Sequence, residues 1–168
     1  MEESIGTKKR LGSMLLDHFF MTMVCVVFGI FLFSFNTSTA PLTKTDYLHS
    51  PAFYVSLIGF ALYFCKDCIN GQSKAKRITH LIVVNNSTGE IASPVRCVVR
   101  NLFCIIWPIE IFVTMLNENR RIGDRVAGTK VIPYDSAIIH HSRLEGRDLI
   151  APFILSYIFA FAFAWLLM

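Results

Sequence analysis

Charge is what this 168-residue sequence has least of. Asp, Glu, Lys and Arg make up 17% of it, against about 25% in ordinary soluble domains. It also lacks the Cys spacing of a secreted disulfide framework, since its five Cys sit mostly in or beside apolar runs, where a free Cys behaves as a small hydrophobe. No nucleophile–base pair and no phosphate-binding loop occur, so the reading is non-enzymatic, with no cofactor. Cys65-Lys66-Asp67-Cys68 is followed by Cys97 and Cys104, which lack the second close pair of a zinc site, so no metal is expected. The basic segments carry almost no aromatics, which argues against nucleic acid as a partner. What remains is grease: 54% of residues are apolar, and 15 are Phe. A core this apolar needs a much larger protein around it, or lipid, and at this length lipid is the better reading.

Long apolar runs bear this out. A span needs about 17–25 apolar residues. The first runs over about 18–35, the second from Pro51, at its first turn, to about Cys65, or over 51–69 if Lys66 and Asp67 lie at the interface, and the last over 149–168, with Trp165 as an interfacial anchor. The apolar stretch after the polar N-terminus is too long for a signal-peptide core, so it reads as a retained span. The segment 95–116 is ambiguous. A straight span would set Glu110 near the bilayer midplane, which is costly, and Pro108 kinks or breaks a helix. It is therefore either a kinked span or a re-entrant hairpin.

Charge distribution favours re-entry. Of the 16 Lys and Arg, three lie at 8–10, one at Lys44, six between Cys65 and Arg100, and six between Asn117 and Arg147. If 95–116 returns to its starting side, fifteen of the sixteen share one face, as the positive-inside rule asks. That layout puts the N-terminus inside and the C-terminus outside. The short β-branched runs Leu81-Ile82-Val83-Val84 and Val131-Ile132, each beside turn residues, read as strands. Neither is stable alone, and pairing them requires the same membrane side. The expected architecture is an all-α membrane protein with three transmembrane helices, a re-entrant or kinked segment, and a short β-hairpin-like cytoplasmic polar region.

Several residues then join into a pattern. Arg10 stands seven residues before Asp17 at the mouth of the first span. Gly71-Gln72-Ser73 leads to Lys76-Arg77 and the strand ending Val83-Val84-Asn85; Gly89 follows, and Arg96 and Arg100 open the next segment. Gly123-Asp124-Arg125-Val126-Ala127-Gly128-Thr129 closes the polar region. This arrangement resembles the RDD family of membrane proteins, named for one Arg and two Asp, here by position Arg10, Asp17 and Asp124. The resemblance covers about residues 9–132, so a domain of 1–132 is expected, with polar parts at 70–94 and 117–132. An amphipathic linker at 133–148 and an additional helix at 149–168 follow. Ala75 and His80 stand where the family usually has Gly, so a departure in the local backbone is expected there. The resemblance implies a multi-pass protein of the bacterial cytoplasmic membrane, described in some members as a transporter linked to sodium/proton exchange, and acting in others as a docking unit.

Arg10 and Asp17 lie nearly two helical turns apart, about 10 Å, on one face. Asp17, just inside the apolar boundary, needs a cation, and Arg96 and Arg100 are the candidates; Asp124 is expected to meet Arg10. Asp17, Glu110 and Asp124, with Arg125 nearby, form either a structural lock or a site that binds and releases a cation or proton. Such exchange at neutral pH needs a carboxylate with a raised pKa, for which Glu110 is the candidate. Lys74, Lys76 and Arg77 are expected to attract anionic lipid at the cytoplasmic face, by about 1 kcal/mol each. Ser156, Ala160 and Ala164, four residues apart, suit close helix packing, within the chain, in a homo-oligomer or against another membrane protein.

Overall fold

A computed structural model of the chain describes residues 6–35, 49–116, 120–135 and 145–167. The elements run α1 (Thr7–Phe35), α2 (Pro51–Phe64), α3 (Lys74–Ile78), β1 (Leu81–Asn85), α4 (Pro94–Leu102), a 3-10 turn (Phe103–Ile106), α5 (Trp107–Leu116), α6 (Ile122–Ala127), β2 (Thr129–Pro133), a second 3-10 turn (Gly146–Leu149) and α7 (Ile150–Leu167). Residues 136–144 of the expected amphipathic linker lie outside the described residues.

Three helical stretches are long and apolar enough to cross a bilayer: Lys8–Ile30, Pro94–Leu116 and Gly146–Leu167. The outer surfaces of α1 (Phe19, Met23, Val27, Ile30) and α7 (Ile154, Ile158, Trp165) are exposed apolar side chains, as lipid-facing helices require. The second expected span takes the shorter of its two readings and does not reach 69. Ser50 caps α2 by accepting from the Phe53 N–H, Pro51 opens it, and it stops at Phe64 after 14 residues. That is about 21 Å of rise against a hydrocarbon core of about 30 Å. It ends there because the next turn is committed elsewhere. Asp67 is drawn into ion pairs, and Asn70 and Gly71 take left-handed backbone at φ 55° and 65°.

The helix α2 is the centre of the apolar packing. Phe53, Leu57 and Phe64 bury against Ala160 of α7, with Phe53–Phe161 and Phe64–Phe159 ring pairs edge-on at 6.1 and 5.7 Å. Ser156 and Ala160 are buried and Ala164 is half-buried, so the small-residue stripe faces α2 within the chain, with Ser156 Oγ 3.2 Å from Cys65 Sγ.

The strands pair. β1 and β2 are antiparallel, with Val83 opposite Val131 and Leu81 opposite Pro133. Leu81 to Val84 are fully buried, which explains why β1 is an unbroken apolar run rather than an alternating one. His80, at φ 50° just before β1, makes with a side chain a turn that glycine makes without strain.

This pairing decides the course of 94–116. The helix breaks at Phe103–Ile106, and Pro108 falls in the first turn of α5, where its missing N–H costs nothing. Pro108 thus starts the second piece rather than kinking a continuous one. Of the described residues after α5, Arg121 donates to the Asn101 side chain at 3.1 Å, and β2 pairs with β1. The residues on either side of the segment thus meet in one polar region, which is the arrangement a re-entrant course requires. We expect Ser87→Cys and Arg125→Cys, both at exposed positions, to label with an impermeant maleimide from the same side of sealed vesicles. Labelling from opposite sides would break the re-entrant layout.

Candidate functional site

Where the helical pieces meet, eight ionisable side chains are buried together: Arg10, Asp17, Lys76, Asp67, Arg100, Glu110, Arg121 and Asp124, none more than 5% exposed. Four are cations and four are carboxylates. The order of contacts is a chain. Lys76 Nζ lies 2.7 Å from Asp17 and 2.8 Å from Asp67. Arg100 reaches Asp67 at 3.1 Å and Asp124 at 2.9 Å through different nitrogens. Arg10 closes on the other oxygen of Asp124 at 2.6 Å. Arg121 lies 3.7 Å from Asp124 and 3.5 Å from Glu110. One network therefore ties α1, the turn after α2, α3, α4, α5 and α6.

Local structure sets each member. Ser73 caps α3 by accepting from the Lys76 N–H, and this short helix turns Lys76 inward while Lys74 and Arg77 stay exposed. In α4, Cys97, Val98, Arg100 and Asn101 face inward together, and Asn101 donates to the Phe64 carbonyl that ends α2. The Gly123 N–H donates to Glu110 at 2.8 Å, and any side chain at 123 would overlap the Arg100 carbonyl oxygen. Gly128, at φ 65°, ends α6 in the left-handed cap that glycine favours. Thr129 then hydrogen-bonds Asp124 at 3.3 Å.

Burial alone pushes both aspartates upward, but their partners reverse it. Lys76 and Arg100 hold Asp67 below the usual carboxylate range, and Arg100, Arg121 and Arg10 do the same for Asp124. Burial lowers the Arg121 guanidinium, and Cys104, Asp124 and Glu110 together raise it past its ordinary value. Asp67 and Asp124 are therefore ionised at physiological pH.

The anticipated residues are partly rearranged. Arg10 meets Asp124 as expected. Asp17 pairs with Lys76, because Arg100 is taken by Asp67 and Asp124. Arg96 is exposed and donates instead to the carbonyls of Ala127 and Gly128, at 3.2 and 3.4 Å. Arg125 is exposed and outside the network. Lys76 is buried and cannot act as a lipid-facing cation; Lys74 and Arg77 remain at the surface. Asp67 and Arg121 were not anticipated. Among the described residues no cluster of His, Cys, Asp and Glu could hold a metal ion.

Beside the network is a cavity of about 20 Å³ between Asp17 and Glu110, also lined by His18, Tyr63, Cys104 and Arg121. It has room for about one water. Glu110 Oε2 and Arg121 Nε border it without a hydrogen-bond partner.

The Arg10–Asp124 pair, with Asp17 on the same helix face, joins the two ends of a pattern that a family model recognises over residues 6–168. The chain belongs to the RDD family. It is a membrane protein of that family, and the match runs through α7, past residue 132, so the last helix lies inside the matched region rather than being an addition to it. No curated protein and no solved structure matches the chain.

Removing one member of such a buried set leaves its partner charged in a medium that cannot solvate it, at a cost of about 3–5 kcal/mol. Asp67→Asn and Asp124→Asn are expected to lower the thermal unfolding midpoint steeply in detergent, while Arg125→Ala leaves it within a degree or two. Gly123→Ala is expected to destabilise by about 1–3 kcal/mol through overlap with Arg100. Because Asp67 and Asp124 have depressed pKa values in the fold, their contribution is complete above the unfolded carboxylate pKa, about 4. It is lost as pH falls below that toward the folded values. A midpoint that is flat from pH 5 to 8 and drops below about pH 4 is the expected profile.

Proposed function

We propose that this RDD-family chain is a non-enzymatic assembly or docking subunit of a larger membrane complex. It would sit in the bacterial cytoplasmic membrane with its N-terminus and polar region on the cytoplasmic side. The observation that supports this most is the closure of the ionic network. Four carboxylates face four cations, each carboxylate is within ion-pair distance of at least one, and Asp67 and Asp124 stay ionised. A carrier site must release its ligand and take another charge state; this one is built to hold a single arrangement. Its product is a rigid platform whose apolar outer faces on α1 and α7 suit contact with a second copy or another membrane protein.

A second reading rests on one corner of the network. Glu110 has one oxygen satisfied by the Gly123 N–H and the other without a hydrogen bond, beside a water-sized cavity that reaches Asp17. A proton or small cation could pass between these two carboxylates, with Arg121 and Lys76 as internal counter-charges.

Purification in mild detergent, followed by identification of accompanying proteins, tests the first reading. A stable partner or homo-oligomer, together with no ion flux from the purified chain in proteoliposomes, is expected. Measurable proton or sodium flux that Glu110→Gln or Asp17→Asn abolishes while the protein remains folded would overturn docking and establish the second.

A further inference from the structure

Both α1 and α7 pack on α2, and between them a groove of about 930 Å³ opens near the polar region. Its walls are apolar: Phe20 and Val24 from α1, Leu62 at the end of α2, and Leu149, Phe153 and Ile154 from the last helical stretch. At its mouth stand Lys74 and Arg77, the two exposed cations of α3. Neither pairs with a carboxylate among the described residues, and neither belongs to the buried network. Lys66 also lines the groove, but its ammonium lies 4.7 Å over the Tyr63 ring and 3.7 Å from Cys104 Sγ. The carboxylate of Asp17 reaches the groove too, with its charge met by Lys76.

We propose that this groove is a binding site for one anionic glycerophospholipid, its acyl chain between α1 and α7 and its phosphate on Lys74 and Arg77. Two physical facts lead there. An apolar space of this size, open to a bilayer, is filled, and water is the poorer filler where polar partners are few. Hydrocarbon alone gives no selectivity, because lipid tails are as apolar as the walls. Selectivity therefore comes from the mouth, where two cations with no ion-pair partner among the described residues favour a net-negative headgroup by about fivefold each. Lys74 and Arg77, three residues apart on one face of α3, can approach the same phosphate. The inference does not depend on either reading of the network.

Native mass spectrometry of the full chain, with equal mole fractions of dioleoyl phosphatidylglycerol and dioleoyl phosphatidylcholine, tests it. The expected result is one retained phosphatidylglycerol per chain, preferred at least tenfold. The double variant Lys74→Ala/Arg77→Ala is expected to remain folded, because neither side chain holds the fold, and to bring the preference close to parity. Ile154→Trp, which sets an indole into the groove wall, is expected to lower retention of both lipids. Glycerol phosphate, which has the anion without the chain, is expected not to compete. Equal retention of the two lipids by the parent, an unchanged preference in the double variant, or a second copy of the chain in place of lipid overturns the proposal.

Discussion

The bifurcated grip of Arg100 is the constraint on which the architecture depends. One guanidinium holds Asp67, from the turn after α2, and Asp124, from α6. Each aspartate then gathers a second cation from elsewhere: Lys76 for one, Arg10 for the other. Guanidinium suits this role because it offers several donors in a rigid plane and stays charged when buried. A lysine could supply the charge but not two fixed directions. Helices that slide freely past one another in lipid, where no hydrophobic force prefers one contact over another, are placed here by ionic geometry.

That grip also explains the broken elements. A continuous helix through 51–69 would carry Asp67 along the helix and away from Arg100, so the chain leaves helical geometry after Phe64. A continuous helix through 94–116 would carry Glu110 away from Arg121 and Gly123. The break at Phe103–Ile106 lets both pieces face the same polar centre, and Pro108 starts the second piece without loss. The β pair fastens the same arrangement from outside the apolar layer. Leu81 of β1 and Val131 of β2 line a small gap beside Arg10, Lys76, Arg100 and Arg121.

Much of this was legible in the sequence, and the failures have physical causes. Apolar run length revealed the helices, and the asymmetric placement of Lys and Arg suggested that the chain on either side of 95–116 shares one polar region. The β-branched runs revealed the strands. The motif resemblance brought Arg10, Asp17 and Asp124 together, although they are far apart in sequence. Asp67 was hidden because its neighbours Lys66 and Ile69 make it look like the interfacial end of a span; its partners are remote and leave no local trace. Lys76 looked like one of three surface cations, yet helix phase carried a signal. Positions 74 and 77 share a face of α3, and 76 points away from it. Arg121 was lost among adjacent arginines, of which one turns in and the others do not, a distinction that belongs to tertiary packing alone.

The separation between Arg10 and Asp124 bears on how the protein is made. The first residue of the pair emerges from the ribosome 114 positions before the second. Until then Arg10 lacks this counter-ion. Arg100 likewise has Asp67 but not Asp124 until the chain has passed the segment 103–121. The short helix at Ile122–Ala127 thus supplies the carboxylate on which both arginines converge. The order in which opposite charges are synthesised therefore leaves the pairing of Arg10 and the second pairing of Arg100 to one short helix near the end of the polar region.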